Sequence, residues 1–430
     1  MHIYFSGIGG AAIGPLALIA KQAGYEVSGS DIQPSDYIDY LQTHGIKDIH
    51  IGQTSEQIAK VNELKPIDWF VYSSALPKTD PDHAELKFCQ RNGIKTSKRD
   101  ELLNKIITDK NLKLLAIAGT HGKTTTTAMM VWLFKQLNIP ISYSVGAKLS
   151  FGEPGEFDPQ SKHFIYEADE YDRNFLSFHP EVSLITGLDW DHPDIYATRQ
   201  AYDDAFRQFL KQSQAAVMWQ TDVKALGLSA ADNLTVLKED DPKLNQEFTL
   251  KGLVNRQNAW QVAQAAQKFL SEPLDKLIKI LNEFPGLARR FERIAPNLYS
   301  DYAHTPAKIR GALQRAHEVA GDNVVVVYEG LHNLRQHFIK DQLKNLFDGV
   351  KQLYIVPSYL AREDPNLELL TPDKILDLLS NSAKGQAAAA KLDGNLKTAI
   401  QKHLDAGDLV LCLTAGGPGS LDEWLRKEFA

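Results

Sequence analysis

Cysteine is almost absent from this sequence, and its scarcity excludes two kinds of stabilising site. The 430 residues include only Cys89 and Cys412. Neither has a partner Cys or His at metal-ligand spacing, so the sequence argues against a disulfide framework and against a zinc site. Both cysteines lie in apolar surroundings, and we expect them to be small buried side chains.

An excess of basic charge and long apolar runs are also missing. The net charge is -7 and the sequence pI is about 6.0, whereas nucleic-acid-binding domains usually carry a basic patch. No apolar run reaches the ~18 residues that a membrane-spanning helix needs, and no charged segment of the signal-peptide type precedes the first apolar run. We therefore expect a cytoplasmic protein with small-molecule substrates and neither a nucleic-acid nor a membrane partner.

Three segments share one pattern, in which an apolar run ends in a glycine-rich turn and then enters a helix-like segment. The three turns are residues 7–10, 119–125 and 415–419. Strands that alternate with helices build parallel sheets, so the pattern predicts an α/β protein. The chain is longer than one hydrophobic core usually supports. We predict three domains, at residues 1–108, 109–285 and 286–430.

The second turn has the composition of a phosphate-binding loop. Its sequence is Gly119-Thr120-His121-Gly122-Lys123-Thr124-Thr125. Glycines let backbone N–H groups converge on phosphate oxygens, and a helix N-terminus behind them favours an anion. Lys123 would meet the β- and γ-phosphates of ATP, and the Thr124 hydroxyl would be a ligand of Mg²⁺. The loop is shorter than the usual P-loop pattern, since Ile117 stands five residues before Gly122. The alternative is a left-handed turn with a surface lysine.

Acidic residues follow two further apolar runs, and they are candidates for a metal site. Residues 164–166 run into Glu167, and residues 182–186 run into a segment that ends in His192. The carboxyl ends of parallel strands meet at one edge of a sheet, where ligands bind. Mg²⁺ prefers hard oxygen ligands. We predict that Glu167 and His192 hold a second metal ion; the alternative is a solvated acidic surface.

Taken together, these residues resemble the Mur ligases, which add amino acids or peptides to the UDP-linked precursor of peptidoglycan. The resemblance implies an N-terminal Rossmann-like domain for the UDP-sugar, a central P-loop ATPase domain with a mostly parallel sheet, and a C-terminal Rossmann-like domain for the amino acid. It also implies a two-step reaction with ATP and Mg²⁺, in which an acyl phosphate forms and an amine then displaces phosphate. The matching segments are residues 7–10, 29–31, 119–127, 167–170, 191–192, 255–259, 286–291 and 301–306.

The resemblance assigns roles to residues outside the phosphate loop. Asn255 and Asn258 would read adenine, although they could instead be a helix cap and an exposed polar residue. Tyr302 and His304 would lie beside the incoming amine, although His304 could be a buried core histidine. Arg289, Arg290 and Asp301 would face the nucleotide or its phosphates, with a surface arginine pair as the alternative. The residues expected to act in catalysis are Lys123, Glu167, His192 and His304.

The first glycine turn is followed about 20 residues later by the acidic residue Asp31, and this pattern is similar to a dinucleotide-binding fingerprint. No hydride-transfer residues accompany it, so an NAD-dependent oxidoreductase is the weaker alternative. In the family the same turn cradles the UDP diphosphate. The predicted UDP-sugar contacts are Gly7, Gly9, Gly10, Ser30, Asp31, Ser73 and Ser74.

The resemblance also bears on the substrate. Addition of L-alanine to UDP-N-acetylmuramate is the preferred interpretation, because His332 and Arg335 follow an apolar run as in the alanine-adding branch, and we expect both to contact substrate. Asn333 stands where that branch usually has arginine. Ligation of the tripeptide L-Ala-γ-D-Glu-diamino acid in cell-wall recycling is the alternative, and a non-catalytic relative is another. We expect a monomer or a weak homodimer.

Overall fold

The computed structural model contains three sheets and describes most of the chain. The described residues are 1–73, 76, 80–192, 195–229, 231, 233–360, 363–414 and 416–430. Within them, no helix is long and apolar enough to cross a membrane.

The first sheet has five parallel strands in the order β3-β2-β1-β4-β5. The order reverses between β1 and β4, which is the usual place for a ligand in an open α/β sheet. Ser35 and Thr54 begin two of the helices by accepting hydrogen bonds from the N–H groups of Ile38 and Gln57. The strands are β1 (His2–Ser6), β2 (Glu26–Asp31), β3 (Ile49–Ile51), β4 (Trp69–Tyr72) and β5 (Lys95–Lys98). The helices are Ile13–Gln22, Asp36–Thr43, Ser55–Leu64, Ala84–Arg91 and Arg99–Asp109.

The second sheet has seven strands in the order β12-β11-β10-β6-β9-β7-β8, and only the β7–β8 pair is antiparallel. The strands are β6 (Lys113–Ala118), β7 (Ser142–Ser144), β8 (Gly155–Glu156), β9 (His163–Glu167), β10 (Val182–Ile185), β11 (Ala215–Trp219) and β12 (Leu234–Leu237). Its helices are Lys123–Gln136, Arg199–Gln212, Gln220–Ala225, Leu253–Ala266 and Leu274–Asn282, with a 3-10 helix at Tyr171–Ser177. β6 lies between β9 and β10, and all three strands are parallel. The phosphate loop and both acidic segments therefore lie at the same edge of the sheet, at the carboxyl ends of these strands.

The third sheet has six strands in the order β13-β14-β18-β15-β16-β17, and only β13–β14 is antiparallel. Every residue of β15 is buried, as expected for a strand covered on both faces. The strands are β13 (Glu292–Ala295), β14 (Leu298–Asp301), β15 (Val324–Leu331), β16 (Gln352–Tyr359), β17 (Ala387–Ala389) and β18 (Leu409–Leu413). Its helices are Pro306–Ala320, Asn333–Ile339, Pro372–Leu378, Asn381–Lys384, Gly394–Asp405 and Leu421–Phe429, with a 3-10 helix at Lys340–Gln342.

The chain forms two compact units. The first comprises Met1–Asp241 and Asn258–Phe284 and contains the first two sheets. The second comprises Pro242–Gln257 and Pro285–Ala430 and contains the third sheet, together with the short helix Lys243–Gln246. These sheets confirm the predicted α/β class with mostly parallel strands; the two boundaries between the three predicted domains stay predictions.

Candidate active site

Two glycines give the phosphate loop its shape. Gly119 has a φ of +132° and Gly122 a φ of +80°, which side-chain-bearing residues rarely adopt. A Cβ on Gly119 would come within 2.9 Å of the Gly187 carbonyl oxygen, and one on Gly122 within 2.9 Å of Asn258 Oδ1. The left-handed Gly122 also starts helix Lys123–Gln136, so Lys123, Thr124 and Thr125 lie in its first turn.

Thr120 and His121 fasten the loop to the segment after β10. The Thr120 hydroxyl lies 2.6 Å from the Tyr202 hydroxyl and 2.7 Å from the Asp189 carbonyl oxygen. His121 Nε2 lies 3.0 Å from Asp189 Oδ2. The Thr120 N–H also donates to the Gly187 carbonyl oxygen at 2.8 Å, so side-chain and backbone contacts together hold the loop in place.

Lys123 is held by a buried carboxylate. Its Nζ donates to both Glu170 oxygens, at 2.6 and 2.9 Å, and to the Gly119 carbonyl oxygen at 2.6 Å. Glu170 is only 1% exposed. Burial opposes the charged ammonium, but the carboxylates of Glu170 and Asp169 outweigh burial and raise the pKa of Lys123. The lysine therefore stays positively charged beside the loop.

Thr124 and Glu167, which the sequence assigned to two different metal ions, are in direct contact. The Thr124 hydroxyl donates to Glu167 Oε1 at 2.8 Å, and the Gly146 N–H donates to Glu167 Oε2 at 2.7 Å. A hydroxyl and a carboxylate oxygen therefore lie side by side next to the loop, and they fit the hard-oxygen preference of Mg²⁺. In the described part of the chain, no group of three His, Cys, Asp or Glu side chains could hold a metal ion by itself.

His192 lies beside Glu170, a residue that was not among the predicted site residues. His192 Nε2 is 3.8 Å from Glu170 Oε1 and 3.9 Å from Asp191 Oδ2. Its backbone is left-handed, with a φ of 57°. The predicted pairing of His192 with Glu167 around a metal stays a prediction, and Glu170 is the residue that connects His192 with Lys123.

Glu170 belongs to a strained segment that we call the acidic turn, residues 169–173. Asp172 and Arg173 have φ values of 55° and 59°. Non-glycine residues in this region cost about 1–3 kcal/mol each and persist where the surroundings fix them. The turn carries Glu170 to Lys123, so the strain lies next to the phosphate loop.

Asn255 and Asn258, the two asparagines predicted to contact the adenine base, have different surroundings. Asn258 is 3% exposed and lies against Gly122, in the first compact unit. Gln261 holds this part of the helix on the second sheet, because its Nε2 donates to the Ile185 and Val217 carbonyl oxygens. Asn255 belongs to the second unit, and its Nδ2 donates to the Lys251 carbonyl oxygen. The structure thus places Asn258 at the loop.

The first glycine turn forms a cradle at the end of β1. The N–H of Gly7 donates to the Ser30 carbonyl oxygen, and the N–H of Gly9 donates to Asp31 Oδ2 at 2.7 Å. A Cβ on Gly10 would meet the Gly7 carbonyl oxygen at 3.1 Å. Ser73 follows β4 at the same edge of the sheet, and Ser74 lies outside the described residues.

A buried carboxylate supports this cradle and was not predicted. Glu85 is fully buried and accepts hydrogen bonds from Tyr4 at 2.8 Å and from Ser6 at 2.7 Å. Burial raises the pKa of Glu85, against the lowering effect of these hydroxyl donors. Ser6 immediately precedes Gly7, so the network fixes the start of the turn. No pattern around Glu85 distinguishes it from an ordinary helix residue.

In the second unit, Arg289 occupies the space next to a glycine. A Cβ on Gly416 would lie 1.4 Å from Arg289 Nη2, so position 416 admits no side chain while this arginine is in place. The guanidinium groups of Arg289 and Arg290 lie 4.8 and 5.6 Å from the Tyr302 ring. Burial raises the pKa of Asp301, although Arg290 opposes this. These predicted residues thus form one cluster.

His304 is a buried neighbour of this cluster. It is 5% exposed, and its Nδ1 lies 3.2 Å from the Tyr302 carbonyl oxygen. Burial, and then the positive charges of Lys308 and Arg335, hold the pKa of His304 well below its usual range. His304 is therefore neutral at neutral pH.

This low pKa predicts a pH dependence of stability. The unfolded chain binds a proton on His304 near pH ~6.5, whereas the folded chain does not. Stability should fall below that pH, by up to ~1.4 kcal/mol per pH unit. We expect His304→Gln to melt with a smaller difference between pH 8 and pH 5 than the wild type. His317→Gln, on the helix Pro306–Ala320 that follows His304, is the control. An unchanged difference in His304→Gln would contradict the prediction.

The segment after β15 holds His332 in a left-handed conformation, with a φ of 53°. His332 N–H donates to the Tyr359 carbonyl oxygen at 2.9 Å, and Nδ1 lies 3.7 Å from Glu363 Oε1. Asn333 is buried and bonds to the Glu368 carbonyl oxygen and the Leu370 N–H. Asn333 therefore anchors a loop, and Arg335 is half-buried in the first turn of the helix Asn333–Ile339. Substrate contact by His332 and Arg335 stays a prediction.

Comparisons with known proteins identify the family. The model of the Mur ligase family catalytic domain matches residues 2–111, that of the Mur ligase middle domain matches 117–259, and that of the Mur ligase glutamate ligase domain matches 289–416. The three matches follow one another along the chain.

Whole-length relatives agree with these models. A UDP-N-acetylmuramate–L-alanine ligase of Desulforamulus reducens is 30% identical, with 99% of this chain and 97% of the relative covered. A solved UDP-N-acetylmuramate–alanine ligase from Thermotoga maritima has a TM-score of 0.73 at 22% identity, covering 100% of this chain and 98% of that one. A murein peptide ligase from Psychrobacter arcticus has a TM-score of 0.62 at 21% identity, covering 97% and 96%. This chain belongs to the Mur ligase family.

Proposed function

We propose that this protein is an ATP-dependent ligase that joins L-alanine to the carboxylate of UDP-N-acetylmuramate, with Mg²⁺ as its metal ion. The observation that carries the proposal is the position of Lys123. Its charged ammonium lies at the phosphate loop, in the same helix turn as Thr124, whose hydroxyl contacts Glu167. A cation, a helix N-terminus and two hard oxygens at one loop suit a nucleoside triphosphate with a divalent ion.

The residues of the first unit would act mainly by electrostatics. A substrate carboxylate and a γ-phosphate repel each other, and bringing them together requires positive charge at fixed positions. ATP and Mg²⁺ would supply the phosphoryl group and further positive charge. Lys123 would hold the phosphates, the N–H groups of the loop would orient them, and Thr124 and Glu167 would hold the metal ion. Asn258 lies beside Gly122, and it would contact the nucleotide.

The choice of L-alanine is supported by the relatives. The ligase of Desulforamulus reducens that is named for L-alanine matches this chain at 30% identity over nearly its whole length. The likeness to the murein peptide ligase, at 21% identity, concerns the fold alone. We propose a cytoplasmic site of action and a monomer or weak homodimer, as expected from the sequence.

Phosphate release with UDP-N-acetylmuramate, ATP and Mg²⁺ tests the proposal. We expect L-alanine to give at least about tenfold higher kcat/KM than the tripeptide L-Ala-γ-D-Glu-diamino acid, which corresponds to ~1.4 kcal/mol of discrimination. The product should be identified by its mass. Reactions that contain neither L-alanine nor the tripeptide are the controls. Faster phosphate release with the tripeptide would show that the tripeptide, and not L-alanine, is the substrate. No phosphate release with either L-alanine or the tripeptide would overturn the proposed reaction.

A further inference from the structure

Two basic residues at the end of β5, in the first sheet, contact the acidic turn that follows β9 of the second sheet. Lys98 ends β5, and Arg99 begins the helix Arg99–Asp109. Arg99 Nη2 donates to Asp169 Oδ2 at 3.2 Å, and Lys98 Nζ pairs with Asp172. Both sheets lie in the first compact unit. The turn is therefore tied to the first sheet near its beginning and near its end.

Arg99 is part of a largely buried group of charges. Its Nε lies 3.6 Å from Asp100 Oδ1, and Asp100 is 2% exposed. The same Asp100 oxygen accepts a hydrogen bond from the Tyr166 hydroxyl at 3.1 Å. Tyr166 precedes Glu167 at the end of β9. Buried charges are tolerated when they are paired and hydrogen-bonded, so this group has a fixed arrangement around one guanidinium.

Asp169 uses both carboxylate oxygens to fix the turn. Oδ2 accepts from Arg99, while Oδ1 accepts from the Tyr171 N–H at 3.1 Å. The next residue, Glu170, is the buried carboxylate that holds Lys123. The left-handed residues Asp172 and Arg173 do not favour this conformation by themselves. Contacts from outside the turn are therefore needed to keep Glu170 next to Lys123.

We propose that Arg99 is a positioning residue for Lys123, and that it acts through Asp169 and the acidic turn. Arg99 holds the turn, the turn holds Glu170, and Glu170 holds the lysine ammonium at the phosphate loop. Lys98 supports the far end of the same turn. This inference rests on the proposed ATP-dependent function, because it assigns Lys123 to the phosphates.

Binding of the non-hydrolysable ATP analogue AMP-PNP with Mg²⁺ tests this proposal without requiring turnover. We expect Arg99→Met to weaken binding about tenfold and Arg99→Lys to have a smaller effect, since an ammonium keeps the charge but cannot reach Asp100 and Asp169 as a fork. Asp169→Asn preserves shape and should resemble Arg99→Met. Arg207→Met, which removes an arginine paired with Asp204 on the surface, is the matched control and should bind normally.

A double-mutant cycle separates positioning from general structural damage. In a Lys123→Met background, Arg99→Met should cause no further loss of AMP-PNP binding, because the ammonium group that Arg99 positions is absent. An undiminished loss in that background, or normal binding by both Arg99→Met and Asp169→Asn, would overturn the inference. Phosphate release by the wild type is measured separately. A wild type that binds AMP-PNP but releases no phosphate would contradict the proposed reaction and leave the binding comparison valid.

Discussion

Replacing Lys123 by alanine is expected to lower ATP-dependent phosphate release about a thousandfold, the upper range for loss of one charge-stabilising group in an active site. The substitution removes the ammonium that would meet the phosphates. The measurement is phosphate release with UDP-N-acetylmuramate, L-alanine and saturating Mg²⁺. Lys135→Ala is the matched control, because Lys135 lies on the same helix and pairs with Glu156 near the surface. Turnover within tenfold of the wild type in Lys123→Ala would contradict the proposed role.

The same substitution should also affect stability, because it leaves the 1% exposed Glu170 without its partner. Breaking a buried ion pair by removing one member costs about 3–5 kcal/mol. The double variant Lys123→Ala/Glu170→Gln removes the unpaired charge and should recover most of the lost melting temperature, yet stay inactive. This outcome would separate the loss of chemistry from the loss of folded protein.

Glu167→Gln is expected to reduce turnover by about a hundredfold and to shift the Mg²⁺ dependence to higher concentration. The amide keeps the shape, with its oxygen accepting from the Gly146 N–H and its NH2 donating to the Thr124 hydroxyl, but it removes the negative charge that a hard cation prefers. Phosphate release would be measured across a Mg²⁺ titration.

Glu181→Gln provides the control for this titration. Glu181 directly precedes β10 and pairs at 3.0 Å with Lys113, whose side chain is 59% exposed. Its Mg²⁺ dependence should match that of the wild type. An unchanged Mg²⁺ dependence in Glu167→Gln would show that Glu167 does not hold the metal ion.

Much of the fold was predictable, because strong local patterns coincide with buried elements. The glycine turns after β1 and β6 were identified from the apolar runs before them. The helix-like segment predicted after the phosphate loop is the helix Lys123–Gln136, which begins within the loop sequence because the left-handed Gly122 starts it directly. The short strand Ala387–Ala389 was not predicted, since alanine has little preference for strands.

The candidate site was predictable where its residues lie at the carboxyl ends of strands, as Glu167 does at the end of β9. The contact between Glu170 and Lys123 was not, because it depends on left-handed Asp172 and Arg173, which no local pattern marks. The approach of Arg289 to Gly416 likewise joins residues far apart in the sequence. Such contacts arise from tertiary packing, and periodicity or composition carries no signal for them.

The two buried cysteines have a practical consequence for experiments on this protein. Cys89 and Cys412 have no exposed surface, and burial raises the pKa of Cys89 to about 12 and that of Cys412 as well. A thiol reacts as its thiolate, so both should resist maleimide reagents in the folded state. A cysteine introduced at an exposed position such as Leu334 could then carry a fluorescent probe without removal of the native thiols.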